Sequence, residues 1–167
     1  MKKLKSKKGF TLIEMLACTV TLVLITLICT TGMNMATKSY NESMFESNSQ
    51  KLEYIVNLAM GDILRYSRDI DVNGEEIIFT NDVYGVSEGG LKLDGDGYFV
   101  LVRNKELSTE AWLVSTMNYV DGIFVTEFEL DYNSATQVYT GSYIIKSNLT
   151  SQERLVEFTY KSIVEGI

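Results

Sequence analysis

Between Glu14 and Lys38 the chain carries no charged side chain for 23 residues, Met15 to Thr37. At about 1.5 Å per helical residue that run spans roughly 34 Å, more than the ~30 Å hydrocarbon core of a bilayer. The chain contains no proline, so nothing forces a break in a helix built on this run. The charges on either side are unequal. Lys2, Lys3, Lys5, Lys7 and Lys8 hold five of the 15 basic residues, and no acid precedes Glu14. The positive-inside bias then predicts a cytoplasmic N-terminus and an extracytoplasmic remainder, in a single-pass membrane protein.

Composition narrows the function classes. With 46% hydrophobic and 22% charged residues, the chain has the apolar content of a folded protein rather than a disordered one. Its formal charge of -7 argues against direct nucleic-acid binding by the bulk of its surface, which needs clustered Lys and Arg. There is no histidine, the commonest general base and metal ligand. The two cysteines, Cys18 and Cys29, both fall in the apolar run and exclude a four-cysteine zinc site. No Gly-rich phosphate loop is present. A non-enzymatic protein with no cofactor is the expectation.

Three ordinary readings of the N-terminus compete. A secretory signal peptide has an apolar region of about 7–15 residues and a small-residue cleavage site. Here the run is longer, and Glu14 interrupts its start. A lipidation junction at Ala17-Cys18 would leave only Phe10 to Ala17 as its apolar stretch, with a carboxylate inside. A plain anchor accounts for the length but leaves Glu14 unexplained. A carboxylate in an apolar span costs about 2.5–3.5 kcal/mol at the bilayer centre, less near an interface, and normally has a partner.

The string Lys7-Lys8-Gly9-Phe10-Thr11-Leu12-Ile13-Glu14-Met15-Leu16 resembles the prepilin signal of type IV pilins and pseudopilins. The likeness covers roughly residues 2–37. It implies cleavage by a prepilin peptidase between Gly9 and Phe10, on the cytoplasmic side, and N-methylation of the new Phe10 amine. It implies that the apolar helix stays in the mature protein. It assigns Glu14 to assembly, paired with the N-terminal amine of a neighbouring subunit. The implied partners are the peptidase, other pilin or pseudopilin subunits, the inner or cytoplasmic membrane and an assembly platform. Thr31-Gly32 stands where many members of the family have a proline. Glycine costs a helix only about 1 kcal/mol against alanine, so no local melting is indicated there.

Beyond the span, Leu52, Ile55, Val56, Ala59, Met60, Ile63 and Leu64 form an apolar stripe at helical spacing. Residues 38–50 contain no Gly or Pro. One helix is therefore expected from about Phe10 to Ser67, its second half laid on a sheet. After Asp69 the chain reads as strands divided by turn signals, including Glu75 to Thr80, Leu91 to Leu93, Tyr98 to Val102, Phe124 to Leu130, Val138 to Ile145 and Leu155 to Tyr160. Phe124, Thr126, Phe128 and Leu130 share one face by alternation, opposite Val125, Glu127 and Glu129. The expected fold class is α+β, pilin-like. Its segments are a leader at 1–9, a membrane or filament-core half of the helix at 10–37, an amphipathic half at 38–69, and a β-rich head at 70–167. The order of helix, early hairpin, Trp112 segment and three C-terminal strands is similar to J-type minor pseudopilins and W-type minor pilins, which points to a minor subunit.

Candidate chemistry in the head is sparse. Asp94-Gly95-Asp96-Gly97 carries oxygen ligands at alternate positions, as a calcium loop does, but lacks a third ligand and a distal Glu. Asp-Gly is also a common hairpin turn, and that reading is preferred over a metal at Asp94 and Asp96. Glu75, Glu76, Glu127 and Glu129 could in principle do acid–base work. The sequence leads to a structural subunit of a pilus or pseudopilus, ending in an extracellular filament. The alternative is a membrane-anchored binding or adhesin module that never polymerises.

Overall fold

The computed structural model of the chain describes residues 10–73, 76–120 and 122–163. The leader and Glu75 lie outside the described residues. Among the described residues one helix, α1 (Leu12–Arg65), is followed by eight strands: β1 (Arg68–Asn73), β2 (Glu76–Asn81), β3 (Val86–Leu93), β4 (Phe99–Asn104), β5 (Thr109–Trp112), β6 (Ile123–Asn133), β7 (Val138–Ser147) and β8 (Glu153–Lys161). A single 3-10 turn, Thr116–Asn118, lies between β5 and β6. The fold class is α+β, with a long N-terminal helix and antiparallel sheets.

The chain divides into two units, Met1–Asn41 and Glu42–Ile167. In the first, α1 runs through Gly32 without interruption, and every described side chain from Phe10 to Tyr40 is exposed. That helix is long and apolar enough to cross a membrane.

In the second unit α1 has an inner face. Phe45, Ser49, Leu52, Val56, Met60, Ile63 and Leu64 are buried, at steps of three and four residues. The stripe legible in the sequence is thus real, and it starts earlier, at Phe45. It packs on a core that includes Phe79, Phe99, Val125, Tyr139, Tyr143 and Ile145. Each large side chain removed from water contributes about 1.5–3 kcal/mol.

Where the helix stops is settled by who takes its last carbonyls. The Ile63 carbonyl accepts from Ser67 Oγ at 2.8 Å and from Asn81 Nδ2 at 2.9 Å. The Arg65 carbonyl accepts from the Ile163 N–H at 2.8 Å. Side chains and the segment after β8 replace the next helical turn, so the helix ends two residues before the expected Ser67.

β1 to β5 form a meander in chain order, and β6 to β8 a three-stranded sheet. Gly97 joins them. Its carbonyl accepts from the Val125 N–H at 3.2 Å, and a Cβ there would sit 2.7 Å from the Val125 carbonyl oxygen. Its φ of 80° also favours glycine.

β6 corrects the expected alternation. Ile123 and Val125 are buried, whereas Phe124 and Thr126 are only partly so. The register with β7 shifts between Thr126 and Glu129, and Glu127 has a φ of 54°. One extra residue at this β-bulge reverses the parity, so that Phe128, Leu130 and Tyr132 pack on the core beyond it. Val125 and Phe128 therefore share the inner face, contrary to strict period two.

Candidate functional site

Gly9 lies outside the described residues. Phe10, the first described, is 78% exposed and precedes the helix. Thr11 caps it. Thr11 Oγ accepts from the Glu14 N–H at 3.3 Å, and Glu14 Oε2 accepts from both the Thr11 N–H and the Thr11 hydroxyl at 2.8 Å. This is a capping box, in which a Thr and a Glu three residues on satisfy each other's backbone donors. It explains why α1 begins at Leu12 rather than Phe10. The Thr-x-x-Glu spacing of this cap, Thr11-Leu12-Ile13-Glu14, is present in the sequence. The geometry folds the carboxylate back over the helix start, within one turn of Phe10.

Farther along, five threonine hydroxyls in the apolar run are satisfied internally. The hydroxyls of Thr19, Thr21, Thr26, Thr30 and Thr31 donate to the carbonyls of Leu16, Ala17, Leu22, Thr26 and Leu27 at 2.8–2.9 Å. Such back-bonding lets threonines sit in lipid without an unmet hydroxyl donor. Cys18 and Cys29 are free thiols, both exposed.

Asp94 and Asp96 lie in the turn between β3 and β4. Asp94 Oδ1 accepts from the N–H groups of Asp96 at 3.0 Å and Tyr98 at 2.8 Å, and the Asp94 N–H donates to the Tyr98 carbonyl at 3.0 Å. One oxygen of that carboxylate is spent on the turn. Among the described residues no group of three or more His, Cys, Asp or Glu side chains is placed to hold a metal ion.

The acid–base candidates are scattered. Glu76 pairs with Lys105, and that partner holds its carboxyl below the usual range. Glu127 pairs with Lys146 at 3.1 Å, and Glu129 is exposed on β6. Among the described residues they do not gather into a group of three or more carboxylates.

One feature the sequence did not reveal is an open groove of about 440 Å³ between α1 and β8, lined by Glu53, Tyr54, Asn57, Leu58, Arg154 and Tyr160. Arg154 clamps two carboxylates of the helix, Glu46 through Nη1 and Glu53 through Nε, each at 2.8 Å. The Tyr160 hydroxyl donates to the Asn57 carbonyl at 2.8 Å, and the Tyr143 hydroxyl to Asn57 Oδ1 at 3.1 Å. Burial pushes the Tyr160 phenol up to about 12 and raises Tyr143 as well. Both therefore stay protonated at neutral pH, as hydrogen-bond donors rather than bases. Only a 101-residue separation between Glu53 and Arg154 makes the clamp, which is why spacing gave no sign of it.

No family model, curated protein or solved structure matches this chain.

Proposed function

We propose that the chain is a structural subunit, of the minor kind, of a type IV pilus or related pseudopilus, processed between Gly9 and Phe10 and assembled through its N-terminal helix. The observation that carries this reading is the joined motif: a basic leader, Gly9-Phe10, Glu14 and then 23 uncharged residues, Met15 to Thr37. A helix long and apolar enough for a membrane, continuous from Leu12, is in keeping with it. In this account the leader stays cytoplasmic, the head is extracytoplasmic, and the assembled subunit ends in an extracellular filament. Burial of apolar helix faces among neighbouring subunits drives assembly, and Glu14 pairs with the amine freed at Phe10 of a neighbour. Cleavage removes five lysines, leaving 10 basic residues against 22 acids.

The capping box offers a way to separate charge from structure. Glu14→Gln keeps a capping side chain but removes the charge, since Gln also serves at that position. Thr11→Ala breaks the cap and keeps the charge. Recruitment into filaments, measured by immunoblot of sheared fractions, is expected to fall at least tenfold in Glu14→Gln and to persist in Thr11→Ala. The reverse pattern would reduce Glu14 to a helix cap. The second reading, a non-polymerising anchored adhesin, would need an intact leader on the native protein.

A further inference from the structure

The edges of the sheets differ in how they are protected. β1 is interrupted by a register shift between Arg68 and Asp71, with Asp69 at a φ of 51°. β5 is only four residues long. β6 is tied to Gly97 through the Val125 N–H. Bulges, shortness and covering contacts are the usual means of blunting an edge. β8 has none of them: it is nine residues long and its register against β7 is unbroken.

The parity of that edge can be read directly. The Ser162 N–H donates to the Gln137 carbonyl at 2.9 Å, and the Ser147 N–H to the Gln152 carbonyl at 3.3 Å. Even-numbered residues of β8 are therefore the hydrogen-bonded partners of β7. Glu153, Leu155, Glu157, Thr159 and Lys161 direct their backbone N–H and C=O groups to the open side. Beyond Lys161 the edge is closed, because the Ile163 N–H donates to the Arg65 carbonyl. The groove lies alongside the open stretch, with Tyr54 69% and Leu58 55% exposed on its helical wall.

We infer that β8 pairs antiparallel with β8 of a second copy of this chain, across a two-fold axis at Glu157. Only this register overlaps all nine residues and sets open-side residues against open-side residues. It places Glu153 opposite Lys161 at both ends and Leu155 opposite Thr159 between them. Opposite charges directly across a strand pair stabilise it. Charged residues normally repel an edge from its like. Here Glu153 and Lys161 stand four residues either side of Glu157 with opposite signs, so the pattern is matched to its own inversion. Lys161 forms no ion pair among the described residues, and Glu153 shares Lys146 with Glu127. Glu157 meeting its copy is the one repulsive contact. A two-fold contact closes on itself and extends no filament, and because β8 runs beside α1 in the same direction, with Arg154 at Glu53 and Tyr160 at Asn57, it sets the two α1 segments antiparallel; the dimer is a state of the chain apart from the filament proposed above.

The test is the dimer dissociation constant of the full chain in detergent micelles, by sedimentation. The wild type is expected to dimerise. Lys161→Glu and Glu153→Lys should each weaken the dimer about tenfold or more, since both ends then oppose like charges. An equimolar mixture of the two variants should restore it, as should the double variant, which controls for misfolding. Glu157→Gln should tighten it several-fold. A monomeric wild type would overturn the inference, including one that binds a foreign extended peptide on β8 instead. So would a dimer of equal strength in all variants, which would place the contact in the apolar helix, or a mixture that fails to recover.

Discussion

The same helix behaves in two ways along its length. From Leu12 to Tyr40 its described side chains are all exposed, although most are apolar. From Phe45 to Leu64 it buries a stripe beneath two sheets. Intrinsic helix propensity does not separate the two stretches, since both are helical and free of proline. What separates them is where the apolar surface goes. The head supplies its own partners for Phe45, Leu52, Val56 and Met60. The earlier stretch needs an environment the single chain does not provide, which a bilayer or neighbouring helices would supply.

Truncation of a core ring should give the largest contrast between these regions. Phe99 is fully buried and meets Phe128 and Tyr143 edge-on, with ring centroids 5.1 and 5.2 Å away. Phe99→Ala is expected to destabilise the head by about 3–5 kcal/mol. Leu24→Ala, in the exposed stretch, should change head stability by less than about 0.5 kcal/mol. Denaturant unfolding of both variants in micelles, followed by near-ultraviolet circular dichroism, checks the pair. Equal losses would dissolve the distinction.

A smaller effect is expected at the helix end. Asn81 is fully buried, and its side-chain amide serves the Ile63 carbonyl while its Oδ1 accepts from the Tyr84 N–H at 3.2 Å. Asn81→Ala removes the acceptor of the Tyr84 N–H and leaves the Ile63 carbonyl with Ser67 Oγ alone, and should cost about 1–3 kcal/mol in the same unfolding assay.

The pH response sharpens the comparison further, because perturbed tyrosines belong to the head. Burial raises Tyr119 and Tyr160 to about 12, above their ordinary value near 10. The folded head holds these protons more tightly than the unfolded chain. Their contribution is complete below about pH 10 and is lost as pH climbs through the folded values near 12. Melting curves across pH 9–12 should show that decline, and Tyr119→Phe should make it shallower. A flat profile would contradict the burial of these phenols.

Much of the fold was legible because its signals are local. The helix stripe, the Asp94 turn and the three C-terminal strands follow from spacing within about ten residues. β1 escaped notice because Arg68-Asp69-Ile70-Asp71-Val72-Asn73 is mostly polar, and β5 because four residues carry no usable period. The reversal in β6 hid behind a perfect alternation, since a bulge at Glu127 has no residue-type signature there. At the N-terminus the motif was plain, whereas the cap between Thr11 and Glu14 needed atomic positions to be seen. The Arg154 clamp joins residues about a hundred positions apart, so only the folded chain could disclose it.

The function proposed above is that of a processed subunit with its helix retained. Intact mass spectrometry of the native protein, purified from its own membrane, tests that most directly. The account predicts a mature chain beginning at Phe10 and bearing one N-methyl group, with Cys18 unmodified. A chain that still begins at Met1, or one cut at or beyond Cys18, would contradict it.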